Sequence, residues 1–195
     1  MRTILAAALL VCALPAGVSA QVLLAGDNNA TYANAKGLTN GVARYITAGY
    51  VAVASGTATQ GCVRLLDWAG SGSSFKIIVF NSGGTQLAIS NATASPTVLG
   101  FACATFASPP TITSGLTYFL AVVVSTGQVD WYASAATFQG TDCGGTYSFA
   151  SPGGATLAGA TANIGASGIY VQGAGGGGGG GATPGLLTLG VGDGQ

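Results

Sequence analysis

The sequence predicts an all-β protein, a two-sheet antiparallel β-sandwich of the jelly-roll kind or a close relative. Short β-prone runs alternate with turn residues along its length, and no segment shows a helical repeat capped at both ends. Glycine is heavily used, at 34 of 195 residues, and much of it falls between the runs.

Residues 42–47 and 50–54 are the first candidate strands. Residues 61–68 follow, with Cys62, Arg64 and Leu66 alternating with Val63, Leu65 and Asp67. The clearest strand is 75–80; Asn81-Ser82-Gly83-Gly84 turns the chain, and 85–90 returns as the second arm of a hairpin. Residues 98–106 form a further strand, ended by Ser108-Pro109-Pro110 because proline removes a ladder donor. The run 117–125 has a core, 118–124, that is apolar on both parities, which suits a strand buried on both sides or one flanked by a covered edge. A Thr126-Gly127-Gln128 turn leads into 129–134, and 168–172 closes the domain. Such a series of short strands with glycine-rich turns packs as two antiparallel sheets.

Three segments fall outside this pattern. Residues 1–20 read as a secretory signal peptide: Arg2 gives a positive start, 4–14 are mostly apolar, and Val18-Ser19-Ala20 offers small residues for cleavage before Gln21. The run is shorter than the roughly 20 residues a membrane-spanning helix needs, so no membrane insertion is expected after cleavage. Val11 stands before Cys12 where a lipoprotein box asks for a small residue. Residues 140–167 read as a long loop with one weak strand at 146–149. Residues 175–181 are seven consecutive glycines, a flexible linker to a tail, 182–195, that stays disordered or adds a strand to a neighbour. The expected organisation is therefore signal peptide 1–20, sandwich 21–174 and glycine-rich tail 175–195, in a secreted or cell-surface protein.

Charge excludes some functions. The mature chain carries Lys36, Arg44, Arg64 and Lys76 against Asp27, Asp67, Asp130, Asp142 and Asp193, four cations against five carboxylates and a balance of −1. No basic cluster exists to hold phosphates, so nucleic acid is not an expected partner. Charged residues are 5% of the chain against about 25% in an ordinary domain. Weak electrostatic repulsion between copies favours self-association.

Three cysteines follow the signal peptide: Cys62, Cys103 and Cys143. An oxidising compartment favours one disulfide among the three possible pairings. Cys62 and Cys103 lie in predicted strands and are the favoured pair, expected to meet across the core, whereas Cys143 lies in a glycine-rich loop. With no histidine and no C-x-x-C spacing, no metal centre and no cofactor are expected.

The same absence removes histidine-based nucleophilic catalysis, and the chain has no glutamate either. Asp67 and Asp130 each adjoin a tryptophan, yet such residues are more often a strand-end carboxylate beside a packed ring than a glycosidase acid pair. The expectation is a protein that is not an enzyme. Carbohydrate binding asks for less: an exposed flat ring with polar neighbours. Trp68 is the best candidate, where a strand runs into the loop 69–73, with Asp67 beside it and Arg64 on the same strand. Trp131 and Tyr132 point to opposite faces of their strand, so one is expected in the core and the other outside. Asp27, Asn28 and Asn29 offer oxygen ligands for calcium or simply form a turn. Asn29-Ala30-Thr31 and Asn91-Ala92-Thr93 match the N-glycosylation sequon, which matters only in a eukaryotic source.

Four stretches carry a resemblance. They are residues 56–68; Phe75-Lys76-Ile77-Ile78-Val79-Phe80 with its return Asn81-Ser82-Gly83-Gly84-Thr85-Gln86-Leu87-Ala88; Gly100-Phe101; and residues 112–122, which include Ser114-Gly115-Leu116-Thr117-Tyr118-Phe119-Leu120-Ala121-Val122. Together they resemble the β-sandwich modules appended to bacterial extracellular proteins and phage fibres, over about residues 43–134. Phe101 stands where that pattern has a tryptophan after the glycine, and Tyr118 keeps its tyrosine. The resemblance implies a non-catalytic carbohydrate-binding or adhesive module, its partner an extracellular glycan or surface polymer, and fixes no ligand residue. The other reading is a self-associating structural protein of a surface layer or fibre. A virion role fits poorly with a signal peptide.

Overall fold

The computed structural model describes residues 21–38, 45–47, 49–126, 129–134, 148–152 and 167–175. The predicted signal peptide, Cys143, most of the 140–167 loop and the tail beyond Gly175 lie outside the described residues.

The described chain is all-β, with two antiparallel sheets packed face to face. The first sheet contains β1 (Gln21–Asp27), β2 (Asn34–Leu38), β5 (Gly56–Asp67), β9 (Gly100–Thr105), β10 (Thr111–Ile112), β12 (Val129–Ala133) and β13 (Ile169–Gly175). The second contains β3 (Tyr45–Ile46), β4 (Tyr50–Val51), β6 (Ser74–Asn81), β7 (Gln86–Ile89), β8 (Thr93–Ala94) and β11 (Thr117–Val124).

Register reduces these strands to eight rows. Leu65 pairs with Trp131 of β12 and Gly100 of β9, and Val63 pairs with Ile169 of β13 and Ala102 of β9, so β12 and β13 lie end to end along one edge of β5. The same reasoning places β1 with β2, β3 with β4, β7 with β8 and β9 with β10. Numbered in chain order, the rows run 1-8-3-6 in the first sheet and 2-7-4-5 in the second. This is the double Greek-key order of a jelly roll.

The core lies between the sheets. Val63 and Leu65 of β5, Trp131 of β12 and Ile169 of β13 face Phe75, Ile77 and Val79 of β6 and Leu120, Val122 and Val124 of β11. At Gly61 an added Cβ would sit 2.9 Å from Ile77 Cγ2, so the glycine lets β5 and β6 approach. The second sheet is also apolar on its outer face, where Ile46, Ile78, Phe80, Ala121 and Val123 form a second buried cluster with Ile89, Phe119 and Phe149. The two-parity apolar pattern of 118–124 therefore marks a strand buried on both sides. Lys76 helps hold the cover in place: its ammonium donates to the Phe149 carbonyl at 2.9 Å and lies 4.8 Å from the Phe149 ring centre.

Both junctions between the sheets are hydrogen-bonded. On one side Val53 N–H donates to Leu24 O at 2.8 Å, joining the chain after β4 to the outer edge of β1. On the other, Ser90 and Phe106 form an antiparallel bridge beyond β7 and β9, and Asn91 N–H donates to Thr105 O at 2.8 Å.

Candidate functional site

β5 positions most of the candidate residues, and pleating sends them in two directions. Val63, Leu65 and Asp67 face inward; Arg64 and Leu66 face outward and are half-exposed. Asp67 is only 1% exposed, at the point where the strand becomes the 68–73 loop. Its carboxylate accepts from Ser71 N–H at 3.0 Å, from the Ser71 hydroxyl at 3.0 and 3.1 Å, and from Ser73 N–H at 3.3 Å. Burial alone would raise its pKa, but these bonds and one from Ala69 N–H outweigh it and hold the carboxyl below its ordinary value. Asp67 thus ties the loop down from within and is enclosed by it, so the expectation that it faces a ligand is corrected.

The tied loop presents Trp68, which is 60% exposed. Gly70 and Gly72 take positive φ, 58° and 69°, with nothing within 4 Å of an added Cβ, so the backbone turns tightly in open space. Asp67 N–H donates to Pro96 O at 2.7 Å, which brings the segment bearing exposed Val98 to the same end of the sandwich.

Trp131 and Tyr132 do divide between the two faces. Trp131 is fully enclosed in the core and offers no ring face to a ligand, which corrects its candidacy. Tyr132 lies half-exposed on the outer face beside Arg64. The Arg64 guanidinium carbon is 5.9 Å from the Tyr132 ring centre, and its Nε donates to Tyr32 O at 3.2 Å. Gly168 makes room for this side chain, since an added Cβ there would lie 2.8 Å from Arg64 Cβ. Across β5, Phe101 is paired with Arg64 and meets Tyr170 edge-on, with ring centres 5.2 Å apart.

Sequence reasoning did not assign Phe101 or Tyr170 to the site. Only the pairing of β5 with both β9 and β13 brings them together. Cys62 pairs with Tyr170 on one side and with Cys103 on the other, and the two cysteines form a disulfide, Cα atoms 4.0 Å apart. The pairing is the one favoured from sequence, but its position is different. The bond links adjacent strands on the outer face of one sheet and does not cross the core.

Asp130 lies on this outer face too, opposite Leu66 in the register. Burial raises its pKa, and its carboxylate has no hydrogen-bond partner among the described residues. Small residues flank it at the sheet edge: Gly37 is paired with Asp130 and Ala35 with Tyr132, so these two residues set no wall beside either side chain. Asp67 and Asp130 consequently point to opposite faces of the sheet and do not flank one cleft.

The Asp27-Asn28-Asn29 run closes a turn on itself. Asp27 accepts from Asn29 N–H at 2.9 Å and from the Tyr32 hydroxyl, while Asn29 Oδ1 accepts from the Thr31 N–H and hydroxyl at 2.8 and 2.7 Å. Among the described residues no group of three or more His, Cys, Asp or Glu is placed to hold a metal ion, and no helix is long and apolar enough to cross a membrane. In the second sequon, Asn91 Nδ2 donates to the Thr105 hydroxyl at 3.0 Å.

Comparison with known protein families, with curated proteins and with solved structures finds no significant match to the chain.

Proposed function

We propose that this chain is a secreted, non-catalytic binding or adhesion module for carbohydrate. The observation that carries the reading is Trp68, an exposed ring on a loop tied down by the buried Asp67 carboxylate. A loop held in place before binding loses little freedom when a sugar packs against the ring it carries. The Cys62–Cys103 disulfide supports an oxidising destination, in keeping with the signal peptide expected from sequence. The test is a glycan array probed with the purified mature chain. Binding by the natural chain that is lost in Trp68→Ala supports the proposal; failure to bind any glycan overturns it.

One observation favours the alternative, a self-associating surface-layer or fibre protein. Val51, Val53 and Leu116 are 60%, 66% and 54% exposed, on segments joined by the 2.8 Å bond from Ala52 N–H to Leu116 O. Concentration-dependent assembly in sedimentation, reduced by Val53→Lys or by removal of residues 175–195, selects that reading.

A further inference from the structure

We infer that the ligand of this module is an extended neutral polysaccharide laid along the outer face of β5, contacted at several successive sugars and not only at a chain end. The inference rests on the carbohydrate reading above and adds the form of the ligand and its path.

The path follows from strand parity. Arg64 and Leu66 share the outward side of β5, and Trp68 is the next residue of that parity, just past the strand end. At about 3.4 Å per residue β5 runs roughly 10 Å from Arg64 to its end at Asp67, and Trp68 stands just beyond in the turn, which leaves room for more than one pyranose ring. The neighbouring strands supply a second line beside the first: Asp130 lies opposite Leu66, Tyr132 beside Arg64, and Phe101 across from it. Rings thus stand at both ends of the path, Trp68 at one and Tyr132 with Phe101 at the other.

Among the described residues the polar groups between the rings keep bonding capacity to spare. Among the described residues, Arg64 spends its Nε on Tyr32 O and forms no ion pair, so its two amino groups stay available. The Asp130 carboxylate, one residue pair further along, offers only acceptors, and no described residue donates to it. A sugar hydroxyl both donates and accepts, so adjacent hydroxyls of one sugar match a carboxylate and a guanidinium that do not meet each other. Among the described side chains one positive and one negative group leave the path without net charge, whereas a chain of uronates would bring repeated negative charge against Asp130. Among the described side chains, those of Ala35 and Gly37 on β2 set no wall at the sheet edge, as a long chain requires.

The experiment is titration calorimetry of the full mature chain against soluble β-glucan, xylan and mannan and their oligomers from disaccharide to hexasaccharide. Alongside it, Trp68→Ala, Tyr132→Ala and Asp130→Asn are compared with the natural chain. Asp130→Asn keeps the shape of an outer-face side chain and serves as the variant least able to disturb folding, with the melting temperature as control. The expected result is affinity that climbs with oligomer length for one of these glycans, and a loss of about tenfold for the hexasaccharide in both Tyr132→Ala and Asp130→Asn. If Trp68→Ala abolishes binding while Asp130→Asn and Tyr132→Ala bind as before, the path is wrong and the carbohydrate reading stands. Affinity independent of length, or preference for a polyuronate added as a further probe, likewise overturns the inference alone. Retention of no glycan at all removes the carbohydrate reading itself.

Discussion

Tyr50 and Ser167 exchange two hydrogen bonds: the tyrosine hydroxyl donates to the Ser167 carbonyl at 3.0 Å and accepts from the Ser167 N–H at 2.9 Å. Tyr50 belongs to the second sheet, whereas Ser167 is bridged to Ala133 where the row of β12 passes to β13 in the first. The pair therefore pins a loop end of one sheet to a strand of the other. Tyr50→Phe keeps the ring and deletes both bonds at a serine closed to solvent. The expected loss is about 1–3 kcal/mol in urea unfolding.

Asp67 makes the stability depend on acid. Its folded carboxyl has a lowered pKa, so its contribution is complete above the ordinary carboxylate range and is lost as pH falls through the lowered value. Asp67→Asn removes that acid-sensitive part: its melting temperature at neutral pH is lower than that of the natural chain, and the gap narrows below about pH 4. At neutral pH the substitution costs about 1.5–3 kcal/mol, the scale of hydrogen bonds to a charged group.

Alkaline pH acts through the tyrosines. Tyr32 is raised from 10.0 to about 12 by burial and by its bond to Asp27, and burial also raises Tyr50 and Tyr170. A folded state that holds these protons more tightly than the unfolded chain keeps its full stability below pH 10 and loses it as pH rises towards 12. Unfolding titrations across that window show a steep fall, made shallower by Tyr32→Phe.

Reduction of the disulfide has a predictable cost. Cys62 and Cys103 are 41 residues apart, and closing a loop of that length is worth about 4 kcal/mol in the chain-entropy treatment. Cys62→Ser with Cys103→Ser lowers stability on that scale, and reductant has no further effect on the double variant's melting temperature.

Phe149 screens an apolar sheet face. Phe149→Ser takes away both the ring over that face and its contact with Lys76. The expected outcome is increased binding of a hydrophobic dye and faster sedimentation, with the strand content in circular dichroism unchanged.

The strands that carry the core were legible in the sequence, and so was the assignment to a sandwich. β6 and β11 are long runs dominated by β-branched and aromatic residues, and only their ends differ from expectation. β1 and β2 were missed for a physical reason: they form the outermost row, where one neighbour suffices and side chains need not alternate. Asn34-Ala35-Lys36-Gly37-Leu38 has no hydrophobic period to find. Of the site, the opposite facing of Trp131 and Tyr132 followed from pleating, but which one is buried depends on which side meets the second sheet. Arg64 and Trp68 were found because Trp68 directly follows the strand that carries Arg64. Phe101 and Tyr170 were not, because they come from distant parts of the chain and meet only through the register on β5.

The bonds at Leu24 and at Ser90 close two sheet margins in a protein with few charges to guard them. Many β-proteins guard their sheet margins with lysines that repel an approaching strand. Here the margins at β1 and β7 are engaged by the molecule's own other sheet. Salt cannot screen such a safeguard as it screens charge, so pairing along those two margins should be indifferent to ionic strength.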